Sequence, residues 1–253
     1  MNKKQIIITL VAVAAFLYFG YRVSVLSNRI QRIENKLGGS RMILCNQKDT
    51  VKRVRQSVVR IVGGEGEGPG FAIKSGGFIL TNFHVIADEP SPKVILPDNT
   101  FETAQVIMTD KDADLAIVKI KKDIPVLKFA RLDWLSPAEE VMAIGYPLGG
   151  GLYGELFVAR GSISRFSTDK KDNMRYVLTD MTLIEGISGG PMVNICGEVV
   201  GIATAGLIPG GMGIAVSSDS VFDRCGKMFA SENPFKDAKK ISFLPDKNAL
   251  EAV

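Results

Sequence analysis

Histidine is nearly absent from this 253-residue chain: His84 is the single one. A zinc site of the usual Cys/His kind is therefore excluded in practice. Cysteine is scarce too, with three residues and no CxxC pair, so neither a disulfide framework nor a redox motif can be read from spacing. Cys196 and Cys225 can pair if the fold brings them together, leaving Cys45 free in a linker; buried, inert thiols are the other reading. There is no long apolar run beyond the first 21 residues, and strands do not alternate with helical patterns, so a parallel α/β sheet is disfavoured. Nor does the charge form a basic domain. The balance of 31 Lys/Arg against 27 Asp/Glu divides into +9 over residues 1–55 and −5 over the rest. Nucleic-acid binders carry their excess on the folded part, so no nucleic-acid partner is expected.

What is present starts with an apolar segment, Ile6 to Tyr21, interrupted only by Thr9 and Gly20 and preceded by Lys3 and Lys4. Its length is at the short end of what spans a bilayer, which predicts a signal-anchor helix over 5–26 behind a basic tail, 1–4. A cleaved signal peptide is the alternative. Val23, Leu26, Ile30, Ile33 and Leu37 then follow an a/d spacing for about two heptads, assigning 27–50 to a juxtamembrane helix and linker.

From about Val51 to Ser218 the texture changes to short β-type runs such as Phe78-Ile79-Leu80-Thr81 and Leu115-Ala116-Ile117-Val118, with turn signals every 8–12 residues. That pattern predicts an all-β sandwich or barrels. The domain is expected over 51–228, in halves 51–130 and 131–228, with a polar tail over 229–253.

Three residues carry the chemistry. Ser188 lies in Gly186-Ile187-Ser188-Gly189-Gly190-Pro191, which matches G-x-S-x-G. An α/β-hydrolase places its His after that Ser, and none follows here. The subtilisin order needs an Asp before the His, and Asp49, in the linker, is the single one. The order His–Asp–Ser is filled by His84, in Thr81-Asn82-Phe83-His84-Val85, and Asp114, which opens the strand Leu115–Val118. Each residue alone has a bland explanation in a turn or on a surface; the three in this order and with these flanks do not.

On these motifs, with Gly70-Phe71-Ala72-Ile73, Ala143-Ile144-Gly145-Tyr146-Pro147, Thr179-Asp180 and Gly213-Ile214-Ala215-Val216, the sequence resembles the HtrA (Deg) family of trypsin-like serine proteases in the chymotrypsin superfamily. The resemblance covers about two thirds of the chain. It implies two six-stranded antiparallel β-barrels with the active site in the cleft between them, following the N-terminal transmembrane helix. It also implies a serine endopeptidase acting on misfolded or regulatory polypeptides, without metal or cofactor. Ser188 is then nucleophile, His84 general base and Asp114 its orienting carboxylate. The N–H groups of Gly186 and Ser188 form the oxyanion hole, and Leu183, Thr204, Ala205 and Leu207 line the primary pocket. A homo-oligomer, a trimer by resemblance, is a further expectation.

Two departures stand out. Ile187 replaces the family's usual Asn or Asp, which predicts a poorly supported oxyanion loop and leaves open a protease-like binding or chaperone module with a closed site. Only some 25 residues follow the catalytic region, too few for the family's PDZ domain. Orientation is contested as well. The family places the protease outside the cytoplasm, in the periplasm, whereas Arg22, Arg29, Arg32, Lys36 and Arg41 behind the apolar run outnumber Lys3 and Lys4 before it.

Overall fold

The computed structural model describes residues 2, 5, 15–29, 45–64, 66–87, 89–146, 155–171, 173–204 and 212–229. Contacts group Cys45–Lys240 into one compact unit, and every strand below belongs to it.

The unit begins with a short helix, α1 (Gln47–Val54), whose N-cap Asn46 accepts a hydrogen bond from Lys48 N at 2.9 Å. Seven antiparallel strands follow: β1 (Val58–Val62), β2 (Glu67–Lys74), β3 (Phe78–Thr81), β4 (Lys93–Ile95), β5 (Phe101–Thr103), β6 (Gln105–Asp110) and β7 (Leu115–Lys119). They form one sheet in the order β5-β4-β1-β2-β3-β7-β6. The second half contains β8 (Glu140–Gly145), β9 (Phe157–Thr168), β10 (Arg175–Thr179), β11 (Pro191–Asn194), β12 (Val199–Thr204) and β13 (Gly213–Ser217). These close into a barrel, β10-β13-β12-β11-β8-β9. A helix, α2 (Ser218–Phe229), leaves β13 directly and packs back on the barrel.

The fold is all-β as expected, but the first half is not a closed six-stranded barrel. Its two edge strands, β5 and β6, are consecutive in the chain and are separated by Ala104 alone. Ala104 donates its N–H to Pro92 O at 2.8 Å rather than continuing one ladder. One bent stretch therefore supplies both edges of the sheet, β5 against β4 and β6 against β7.

Three apolar clusters explain why the strand sequences read as continuous hydrophobic runs. Along β7, Ala116 and Val118 face the interior of the first sheet with Val59, Ile61 and Ile79. Leu115 and Ile117 face the other way, into a layer shared with Met142, Ile144, Val193 and Ile202 of the barrel. Both faces of β7 are thus buried, which removes the apolar/polar alternation of a half-exposed strand. A third cluster, with Val141, Ile163, Val177 and Ala203, fills the barrel.

The cysteine expectation is overturned. The disulfide joins Cys45 to Cys196, and Cys225 is the free, buried thiol. Cys225 is on α2 and its side chain enters the inter-sheet layer, where burial and Asp110 push its thiol up to about 12. Cys196 is in the β11–β12 turn, and α1 covers that turn. Thr50 Oγ1 donates to Ile195 O at 2.8 Å, and Arg53 Nη2 to Cys196 O at 3.0 Å. Docking α1 there delivers Cys45, two residues before the helix, to its partner.

In the N-terminal segment, residues 15–29 are helical, with Phe16, Leu17, Tyr18, Phe19 and Tyr21 exposed. Residues 6–14 of the expected span and 30–44 of the expected juxtamembrane segment lie outside the described residues, as does the tail after Phe229. Among the described residues no helix is long and apolar enough to cross a membrane.

Candidate active site

β3 ends at Thr81, and a single 3-10 turn, Phe83–Val85, carries His84. β7 starts one residue after Asp114, which has φ = +52°. A left-handed backbone is costly for most residues but tolerated by Asp, whose short side chain bonds locally. Here four hydrogen bonds fix it. Asp114 O accepts from Phe83 N at 3.1 Å and from Asn82 Nδ2 at 2.6 Å. Asp114 Oδ1 accepts from His84 N at 3.0 Å, and Oδ2 from the His84 ring Nδ1 at 2.7 Å. With Nδ1 donating to a carboxylate, Nε2 is left as the basic nitrogen. The Asp114 hydrogen bond raises the imidazole pKa; burial opposes this and the carboxylate charge adds to it.

Ser188 comes from the barrel, at 7% exposure, on the turn that enters β11. The glycines around it are dictated by close approach of the first sheet. At Gly189, with φ = +93°, a Cβ would lie 2.5 Å from Pro69 O and 2.6 Å from Thr81 Oγ1. At Gly68 a Cβ would lie 2.8 Å from the Val85 side chain and 3.0 Å from Ser188 O. The serine turn is therefore wedged between β2 and the end of β3, beside the turn that bears His84. A further tie crosses the junction, where Thr204 Oγ1 donates to Asn82 Oδ1 at 3.4 Å.

The loop is supported differently from the expectation raised by Ile187. That side chain is fully buried among Val141, Ala143, Met192 and Ala203 inside the barrel. The backbone does the rest. Tyr146 N donates to Gly186 O at 3.1 Å, Gly190 N to Ile187 O at 3.0 Å, and Gly189 N to Ala203 O at 2.9 Å. An apolar residue at 187 thus pins the loop from beneath by burial, where a polar one would have needed hydrogen-bond partners.

Residues 68–202 match the family described as trypsin-like peptidase domain. The chain belongs to that family. Among its relatives, the serine protease HTRA1 of Xenopus laevis is 35% identical over 185 residues, covering 70% of this chain and 39% of the relative. A periplasmic DegP-like serine endoprotease of Pseudomonas fluorescens is 41% identical over 138 residues, 53% of this chain and 28% of that one. The crystal structure of a serine endoprotease from Yersinia pestis superposes with a TM-score of 0.63 at 29% identity, covering 73% of this chain and 67% of the other. The chain thus spans well under half the length of these curated relatives.

Of the residues singled out from the sequence, His84 and Asp114 are in direct contact, and Ser188 is on the turn packed beside them. Leu183 is half-buried against the barrel core, and Thr204 spends its hydroxyl on Asn82. Ala205 and Leu207 lie outside the described residues. Sequence reasoning passed over Asn82, fully buried and bonded to Asp114 O, although its place two residues before the histidine was the available signal. Among the described residues, no group of three or more His, Cys, Asp or Glu could hold a metal ion.

Proposed function

We propose that this chain is a serine endopeptidase working through an acyl-enzyme. The observation that carries the reading is the 2.7 Å bond between His84 Nδ1 and Asp114 Oδ2, made beside the turn that presents Ser188. His84 Nε2 takes the Ser188 proton as Oγ attacks the scissile carbonyl, and returns it to the leaving amine. Water then repeats the sequence to release the acid and restore Ser188. Asp114 holds the imidazole in one tautomer and stabilises the imidazolium. The Gly186 and Ser188 amides receive the oxyanion, a role in which losing one donor costs about 10²–10³ in rate. Leu183 and Thr204 line the primary pocket, which accepts a small or medium aliphatic side chain. The alternative of a closed binding module rests on Ile187; the burial of that side chain in the barrel favours the peptidase reading.

The protease works outside the cytoplasm, held to a membrane by the N-terminal helix. The Cys45–Cys196 disulfide supports an oxidising compartment, since cytosolic thiols are kept reduced. The DegP-like relative is named periplasmic, and the exposed Phe16–Phe19 face suits lipid. Replacing Ser188 with Ala tests the central reading: casein cleavage is expected to vanish while the fold persists, and undiminished cleavage would sink it. A C-terminal tag digested in intact spheroplasts is the expected topology; one reached only from the cytoplasm overturns it.

A further inference from the structure

Asp114 adopts a left-handed backbone, so the turn that carries it must be over-determined to persist. Its bonds to residues 82–84 hold it from one side, within the first sheet. The other side of the turn is held from β6. Asp110 Oδ1 accepts from Ala113 N at 3.0 Å, and Asp114 N donates to Lys111 O at 3.3 Å, closing the turn 110–114. The second carboxylate oxygen of Asp110 bonds outside the turn. It accepts from Arg224 Nη1, on α2, at 3.3 Å, both side chains being about three-quarters buried.

α2 belongs to the barrel. It follows β13 without a break, contacts β10, β12 and β13, and is anchored by Ser218 Oγ to Ala130 O at 2.7 Å and by Ser220 Oγ, which accepts from Arg175 N at 2.7 Å. Its Val221 and Cys225 enter the same apolar layer as Ala113 and Leu115, and Phe222 stacks edge-on with Phe129 at 5.2 Å. The Arg224–Asp110 pair therefore joins the half of the unit that supplies Ser188 to the turn that supplies Asp114.

We propose that Arg224 is a positioning residue for the catalytic pair: by holding Asp110 from the barrel's helix, it fixes the turn 110–114 and so the placement of Asp114 against His84. This inference rests on the peptidase reading for its effect on rate, but its geometric content is independent of catalysis. In a partly buried ion pair the desolvation cost offsets much of the Coulomb gain, so the effect is expected in alignment more than in folding. Small misplacements of a catalytic group cost up to 10²-fold in rate.

The test uses His84, whose ring signal in an NMR titration has no competitor. Charged groups on its neighbouring turn and on the elements that hold that turn include Lys111, Asp112 and Asp114 on the turn, Asp110 on β6, Glu67 on β2, and Asp223 and Arg224 on α2. Removing the Arg224 cation acts through space to raise the imidazole pKa. Loosening Asp114 acts to lower it, because the Asp114 bond is what raises it. The two causes have opposite signs. In a Ser188→Ala background, Arg224→Gln is expected to lower the His84 pKa by at least half a unit, with Arg224→Lys restoring most of it. In the Ser188 enzyme, Arg224→Gln is expected to lower kcat about tenfold with KM within twofold. Arg224→Met, which keeps the apolar stem, replaces Arg224→Gln if the latter unfolds at the assay temperature. A His84 pKa that is unchanged or raised in the folded variant overturns the proposal. A lowered pKa in a chain that cleaves nothing would instead leave the positioning intact and remove the peptidase reading.

Discussion

Replacing Cys45 with Ser tests how much of the domain depends on its one crosslink. The bond closes a loop with a sequence separation of 151. For a loop that long the chain-entropy relation gives about 5 kcal/mol at 25 °C, and losing native disulfides in small secreted domains costs roughly 2–5 kcal/mol. What remains to hold α1 on the barrel is modest. Thr50 Oγ1 bonds Ile195 O, Arg53 Nη2 bonds Cys196 O, and Gln47 Nε2 bonds Glu140 Oε2 at 2.8 Å. At about 0.5–1.5 kcal/mol each, these bonds do not replace the crosslink. Urea unfolding is the assay. With a slope of roughly 2 kcal/mol per molar, the midpoint is expected to fall by about 1–2 M. Cys196→Ser should match it, reductant should reproduce it in the native protein, and reductant should add nothing to either variant. Cys225→Ser should keep the reductant response of the native protein, because that thiol is outside the crosslink, buried and held protonated. A midpoint shift below about 0.3 M for Cys45→Ser, or loss of the reductant response in Cys225→Ser, would refute the reasoning.

Other expectations follow from single sites. The Asp114 bond raises the His84 pKa, so the acid limb of kcat/KM should lie above about 6.5, the ordinary imidazole value. The same shift makes the pair stabilising below about pH 6.5, a contribution lost as pH rises through the folded-state pKa; urea midpoints at pH 6 and pH 9 check the sign. Gly189→Ala should cost at least about 2 kcal/mol, since a Cβ would meet Pro69 O at 2.5 Å with φ at +93°. Gly226→Ala, in α2 with nothing within 4 Å, should instead gain about 0.5–1 kcal/mol, read as a higher Tm. Asn82→Ala should lower kcat at least tenfold, because the bond to Asp114 O and the tie to Thr204 are lost together.

The candidate site residues were legible because their signals are local. His84, Asp114 and Ser188 each carry their own flanks, and chain order alone separates the possible folds. The strands were legible for the same reason, since Gly76-Gly77 and similar turns punctuate them. What was not legible depends on tertiary contact. Cys45 reads as a linker residue until α1 is docked over the β11–β12 turn. The break at Ala104 leaves no mark, because alanine suits either a continuous or a bent strand. α2 went unread because Val221, Phe222 and Cys225 offer only a short apolar stripe, which becomes decisive against Phe129 and Leu115. Ile187 is a related case. Its polarity was judged against the loop, whereas its environment is the barrel interior.

The central claim is that Ser188 is activated by His84, and a fluorophosphonate probe reads that directly. An unactivated serine does not react, so the reagent reports the arrangement and not merely the residue. The account predicts a single adduct on Ser188 by mass spectrometry, absent from Ser188→Ala and strongly reduced in His84→Ala. A folded protein that takes up no label, or one labelled equally in Ser188→Ala, would contradict it.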